Sequence, residues 1–224
     1  MLLAAGRGER LRPLTDAIPK PLIRVGDKAL IEHHLLHLSR AGFSNVVINL
    51  GWLGERLVES LGDGSRYGLH IRYSQEPPGA LETAGGIHHA LPLLGSDPFL
   101  VISADVLTDF PFDRLLGLEP AGLGHLILID NPPHHPDGDF GLTAGQVTRE
   151  VPRHTFSGLG VFRPEWFSDL TPGPRPLRPL FEKAIDGARL SGEFYSGFWM
   201  DVGSPQRLAL ARQRYGELTD PDSD

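Results

Sequence analysis

The chain has 224 residues, enough for one generous α/β domain with a single core but not for two comfortable ones. With 40% apolar and 22% charged residues, no cysteine, and no apolar run near the ~18 residues of a membrane span, it is neither a membrane protein nor a disulfide scaffold, and it has no thiolate metal site. A net charge of -7 argues against nonspecific nucleic-acid binding, yet residues 1–24 carry five basic side chains against two acidic ones, a local +3 that suits a small anionic ligand.

The first apolar run, LLAA at 2–5, predicts a short strand. MLLAAGRGER has no basic flank before that run and turns polar at once, so it is not a secretory signal, and the absence of cysteine agrees with a cytoplasmic protein. A loop with Gly6 and Gly8 follows, then Pro19-Lys20-Pro21. The first long helix reads ALIEHHLLHLSRAG, with Leu30, Ile31, Leu35 and Leu38 on one stripe and Gly42 as its C-terminal cap. Strand-length runs recur at 46–50, 69–73, 99–103 and 125–130 with helical patterns between them, including Thr83 to Leu94, which is the βαβα pattern of a parallel sheet. From about residue 139 the order changes: strand-like stretches near 142–148 and 155–162, proline-flanked helical pieces within 164–186, FYSGFWMDVG, and a last helix from Pro205. The C-terminal residues 217–224 read as a solvated tail. There is no internal repeat, and in particular no hexapeptide β-helix repeat, so no acetyltransferase extension is expected.

Gly6 and Gly8 directly follow the first strand, where open α/β sheets bind ligands. Two glycines alone are equally compatible with a tight turn. The dinucleotide fingerprint fails because Leu11 stands where its third glycine belongs, which disfavours a nicotinamide dehydrogenase. The P-loop pattern fails because Glu9 and Arg10 occupy its Lys-Ser/Thr positions. What remains is a loop whose backbone N–H groups approach a phosphate chain, with Arg10 and Lys20 to neutralise it, the lysine held extended between two prolines.

LAAGRGERLRPLTDAIPKPL, residues 3–22, closely resembles the signature of the sugar-1-phosphate nucleotidylyltransferases. The resemblance implies a doubly wound, mostly parallel α/β fold of the nucleotide-diphosphosugar transferase type over the single domain 1–224. Residues 1–138 would form a nucleotide-binding half and 139–216 an appended sugar-binding half. It implies that Leu3, Ala4, Ala5, Gly6 and Gly8 wrap a nucleoside triphosphate, that Arg10 contacts the leaving pyrophosphate and that Lys20 bridges phosphates at the reacting centre. Asp105, closing FLVISAD, and Asp201, in FWMDVGSP, match the family's Mg2+ pair, although Ala104 replaces its glycine; each aspartate would otherwise read as a turn or helix-cap residue. QEPPGALETAGGI, residues 75–87, resembles the base- and ribose-contacting segment and implies roles for Gln75, Glu82, Thr83, Ala84 and Gly85, with Glu82 where many members have glycine.

DNPPHHPDGDF (130–140) and HTFSGLGVF (154–162) resemble segments of the subgroup that transfers uridylyl groups to N-acetylmuramate 1-phosphate in peptidoglycan recycling; composition alone would read the first as a proline-stiffened surface loop. The resemblance implies sugar-phosphate contacts at Gly141, Ser157 and Gly158. The family's sugar-phosphate lysine is missing from REVPRH, where Arg153 is the candidate substitute, and Arg153 or His134 and His135 are the candidates for meeting the negative charge of the muramate carboxylate, directly or through water. His33 and His37 have zinc-pair spacing but lack a third ligand. The expected reaction joins UTP and N-acetylmuramate 1-phosphate with Mg2+, and with no nucleic acid or membrane partner; no sequence feature specifies an oligomer. A mannose-1-phosphate guanylyltransferase is the alternative within the family, and a non-catalytic nucleotide-binding protein is the alternative outside it, disfavoured by intact Arg10, Lys20, Asp105 and Asp201.

Overall fold

The computed structural model describes residues 1–216, and the tail expected at 217–224 lies outside them. Strand β1 (Leu2–Leu3) is followed by α1 (Leu14–Ala17), the ribbon β2 (Arg24–Val25) and β3 (Lys28–Ala29), then α2 (Leu30–Arg40) and β4 (Asn45–Leu50). Next come α3 (Gly54–Leu61), β5 (His70–Gln75), α4 (Glu82–Leu94), β6 (Phe99–Ser103), β7 (Val106–Thr108), β8 (Gly124–Ile129), β9 (Phe140–Thr143) and β10 (Gln146–Thr148). The chain ends through β11 (Arg153–Phe162), α5 (Glu165–Ser168), α6 (Arg178–Asp186), β12 (Leu190–Tyr195), β13 (Trp199–Asp201) and α7 (Pro205–Gly216).

Nine strands form one sheet in the order β5-β4-β1-β6-β11-β8-β12-β10-β9. Seven of them run one way and only β10 and β11 oppose, so the α/β, mostly parallel sheet read from the sequence is the one that forms. The stretch near 142–148 departs from a single strand. It is the hairpin β9–β10, because Ala144 (φ 49°) and Gly145 (φ 78°) both take the left-handed conformation that reverses a chain in two residues.

Helices cover both faces, as the alternation within β6 requires. Leu100 and Ile102 join Ile31, Leu35 and Leu38 of α2 and Leu57 and Leu61 of α3 on one side. Phe99 and Val101 join Ala84 and Ile87 of α4, Phe167 of α5 and Phe181 of α6 on the other. Each such aliphatic or aromatic side chain contributes roughly 1.5–3 kcal/mol on burial. Helix α2 stops where Gly42, at φ 90°, donates its N–H to Ser39 O at 3.1 Å while Phe43 N–H reaches Leu38 O at 3.1 Å. A third cluster of Leu11, Val25, Leu30, Leu107, Val202 and Leu208 ties the glycine loop to the start of α2 and to α7. That cluster sets the geometry of the site.

Candidate active site

The glycine loop leaves the carboxyl end of β1 under tight backbone control. Ala4 N–H donates to Asn49 Oδ1 at 2.7 Å, and Asn49 Nδ2 donates to Glu76 Oε1 at 2.7 Å. Both side chains are buried, and burial pushes the Glu76 carboxyl up from its ordinary value. Farther along, Thr15 Oγ1 donates to Gly8 O at 3.0 Å. Gly8 sits at φ 69°, and a Cβ there would stand 3.0 Å from Thr15 Cγ2 and 3.1 Å from Lys20 Cβ, so the loop lies directly on the lysine stem. At Gly6 a Cβ would meet nothing within 4 Å. No protein group requires glycine there, and the missing side chain leaves the backbone open to a ligand.

Asp105 and Asp201 come together through a short ladder. Strand β7 pairs antiparallel with β13, with Asp201 opposite Val106, and Val202 N–H donates to Asp105 O at 2.8 Å. Both carboxylates line one cavity of about 780 Å³. Asp105 accepts the Lys20 ammonium, whose side chain is only 12% exposed. Asp201 Oδ2 accepts Arg207 Nη2 at 2.8 Å, and its backbone oxygen accepts Arg207 Nε at 2.9 Å. Gly203 is where these groups converge, since a Cβ on it would lie 2.4 Å from Arg207 Nη2, 2.8 Å from Asp201 Oδ2 and 2.9 Å from Arg10 Nη2. The glycine of the DVG string therefore makes room for two guanidinium groups beside one carboxylate.

Asp201 Oδ1 is buried and accepts no hydrogen bond, although His134 Nε2 stands 3.1 Å away. A buried carboxylate oxygen in that state is an acceptor suited to a cation. Among the described residues no three His, Cys, Asp or Glu side chains converge into a metal-holding group. Mg2+ takes one or two protein carboxylates and completes its shell with water and phosphate oxygens. Asp105 and Asp201 thus fit such an ion.

The same cavity is lined by Leu3, Arg10, Glu82, Thr83, Ser157 and Gly158 of the residues singled out from the sequence. Glu82 takes φ 58°, so this chain keeps the backbone of a glycine position with a glutamate in it, at a cost of about 1–2 kcal/mol. Ser157 and Gly158 form an irregularity in β11: the serine hydroxyl donates to Ile127 O at 2.7 Å, and Gly158 turns at φ 81° against Ser103. The serine oxygen is therefore already held by the bulge.

Other candidates are placed elsewhere. Ala84 is fully buried, and the N–H groups of Ala84 and Gly85 donate to Arg175 O at 3.0 and 3.2 Å, so this turn of α4 docks on the loop before α6. Gln75 is exposed and donates to Glu76 O at 3.1 Å. Gly141 is required by the β9–β10 crossing, where a Cβ would fall 2.3 Å from Glu150 O. Arg153 directs Nε and Nη2 to Arg149 O at 3.2 and 3.1 Å and is not part of the cavity wall. His33 Nε2 contacts Val25 O at 3.0 Å, while the His37 ring lies 4.5 Å from Phe112. Residues not foreseen are Trp199, whose Nε1 donates to Ser157 O at 2.8 Å, the Asn49–Glu76 pair, and Asp139 with Arg178, which line the same cavity. Asn49 carried a signal, as the one polar residue in the buried run VVINL.

Comparison with known proteins places this geometry in a family. The nucleotidyl transferase family matches residues 1–153. The N-acetylmuramate alpha-1-phosphate uridylyltransferase of Neisseria meningitidis serogroup B is 48% identical over 96% of this chain and 97% of its own length. The enzyme of that name from Caulobacter vibrioides is 33% identical over 97% and 96%. A solved Bacillus anthracis protein in complex with sucrose superposes with a TM-score of 0.85 at 20% identity, covering 96% of this chain and 93% of that one, which shows the shared fold. The chain belongs to the nucleotidyl transferase family.

Proposed function

We propose that this protein transfers the uridylyl group of UTP to N-acetylmuramate 1-phosphate, yielding UDP-N-acetylmuramate and pyrophosphate. The observation that carries this reading is the end-to-end match, at 48% identity, to a relative bearing that name. It is supported by one cavity in which Arg10, Asp105 and Asp201 meet, with Lys20 on Asp105. In the reaction an oxygen of the sugar phosphate attacks the α-phosphorus of UTP, the bond from that phosphorus to the bridging oxygen breaks, and pyrophosphate leaves. No side chain is modified, so the protein contributes position and charge.

The glycine loop offers backbone N–H groups to the triphosphate. Lys20 and Arg10 offset charge on the phosphates, the lysine held in place by Gly8 packing on its stem and by Asp105. A magnesium ion held by Asp105 and Asp201 would supply charge neutralisation between two phosphate groups that otherwise repel. Nucleoside triphosphates are cytoplasmic, so this reading sets the activity there; among the described residues no helix is long and apolar enough to cross a membrane. Incubation with UTP, N-acetylmuramate 1-phosphate and Mg2+, followed by mass spectrometry, tests it. UDP-N-acetylmuramate should appear with stoichiometric pyrophosphate, and its absence under conditions where another nucleotide and sugar phosphate react would reject the reading.

A further inference from the structure

N-acetylmuramate differs from N-acetylglucosamine by a lactyl ether that ends in a carboxylate. Telling the two apart calls for a fixed cation in the cavity wall that is not already committed to the paired aspartates. Among the described residues two arginines line the cavity, Arg10 and Arg178. Arg10 stands on the aspartate side, with its Nη2 2.9 Å from where a Gly203 Cβ would lie. Arg178 opens α6, next to Pro176 and Leu177 of the same wall.

Its guanidinium is unusually well held for a half-exposed side chain. It lies 5.2 Å over the Phe140 ring. Nη1 donates to Asp139 Oδ1 at 3.1 Å, and Nε donates to Glu182 Oε1 at 3.2 Å. Asp139 is itself fixed, since its Oδ2 accepts Phe156 N–H at 2.9 Å and His135 Nε2 stands 3.3 Å from Oδ1. Nη2 has no partner among the described residues. Glu182 is 46% exposed and therefore a weakly competing, solvent-screened partner. The anchor at Asp139 thus presents a planar donor to the cavity without the entropy cost of ordering a free arginine. Of the alternatives read from the sequence, Arg153 is occupied by Arg149 O, while His134 and His135 line the cavity but turn to carboxylates, His134 Nε2 standing 3.1 Å from Asp201 Oδ1 and His135 Nε2 3.3 Å from Asp139 Oδ1.

We infer that Arg178 is the specificity-determining residue that reads the acidic substituent of the sugar, with Asp139 as the residue that positions it; the inference rests on the substrate reading given above. The test compares kcat/KM for UTP with N-acetylmuramate 1-phosphate and for UTP with N-acetylglucosamine 1-phosphate, in the wild type and in Arg178→Ala and Arg178→Lys. Loss of one charge-assisted contact should lower the first value about 10- to 100-fold in Arg178→Ala and the second by less than about threefold, with Arg178→Lys recovering part of the loss. Unchanged melting temperatures check that the variants fold. An equal fall for both sugars, or no fall for either, overturns the inference. A wild type that turns over other substrate pairs but not the muramate sugar overturns the substrate reading itself, before any variant is compared.

Discussion

Gly85→Ala sets two effects of opposite sign against each other. Gly85 lies inside α4, where alanine is favoured over glycine by about 1 kcal/mol, so propensity alone predicts a more stable protein. A Cβ at this position, however, would fall 2.5 Å from the backbone oxygen of Gly173, 3.2 Å from Arg175 N and 3.3 Å from Leu81 Cβ. Backbone cannot rotate aside as a side-chain end does. The loop must move outward by most of an ångström, and overpacking of this kind costs about 1–3 kcal/mol. The same movement stretches the bonds from Ala84 and Gly85 N–H to Arg175 O, at 3.0 and 3.2 Å, each worth about 1 kcal/mol. The sum favours destabilisation by about 2–4 kcal/mol, or roughly 4–16 °C in Tm for a chain of this size. Thermal unfolding by calorimetry measures it directly. A Tm equal to or above that of the wild type would refute the claim that this glycine is a packing device between α4 and the loop leading to Arg178.

Three further outcomes can be measured. Lys20→Ala should lower kcat about 10²-fold or more with little loss of Tm, because the ammonium offsets charge at the reacting phosphates; a variant that melts early but keeps its kcat would make Lys20 a structural residue. Asp105→Asn and Asp201→Asn should each abolish Mg2+-dependent turnover in a folded protein, and near-normal turnover in either would remove that residue from the metal pair. Burial pushes the His34 imidazole down to about 4. The folded protein therefore holds it neutral while the unfolded chain binds a proton from about pH 6.5 downward, so stability is full above that pH and falls as pH drops from 6.5 towards 4. About 2 kcal/mol should be lost from this group by pH 5, with His33, His37 and His125 adding in the same direction. Urea unfolding at pH 7 and pH 5 reads the difference, and equal stabilities would contradict it.

The sheet was largely legible because its signals are local. FLVIS is β6 to the residue, and the stripe of Leu30, Ile31, Leu35 and Leu38 is buried in α2. The glycine loop stands out in the sequence because two glycines, an arginine and a proline-framed lysine in that order serve no turn by themselves. What stayed hidden depends on contacts between distant segments. The resemblance alone implied that Asp105 and Asp201 pair; what brings them into one cavity is the β7–β13 ladder, three residues long and invisible to periodicity. Gly85 and Gly141 read as ligand contacts but answer to backbone carbonyls at Gly173 and Glu150. Nothing local in the sequence marks Arg178, since an arginine at the start of a short helix ordinarily belongs to a solvated face. Only the fold brings Asp139 and Phe140 beneath it.

On the proposed function, this cavity selects UTP and N-acetylmuramate 1-phosphate. Pyrophosphate release at equal Mg2+ concentration, measured for UTP with N-acetylmuramate 1-phosphate, UTP with N-acetylglucosamine 1-phosphate and GTP with mannose 1-phosphate, tests it most directly. The first pair should give the highest kcat/KM, and a clear preference for GTP with mannose 1-phosphate would contradict that selectivity.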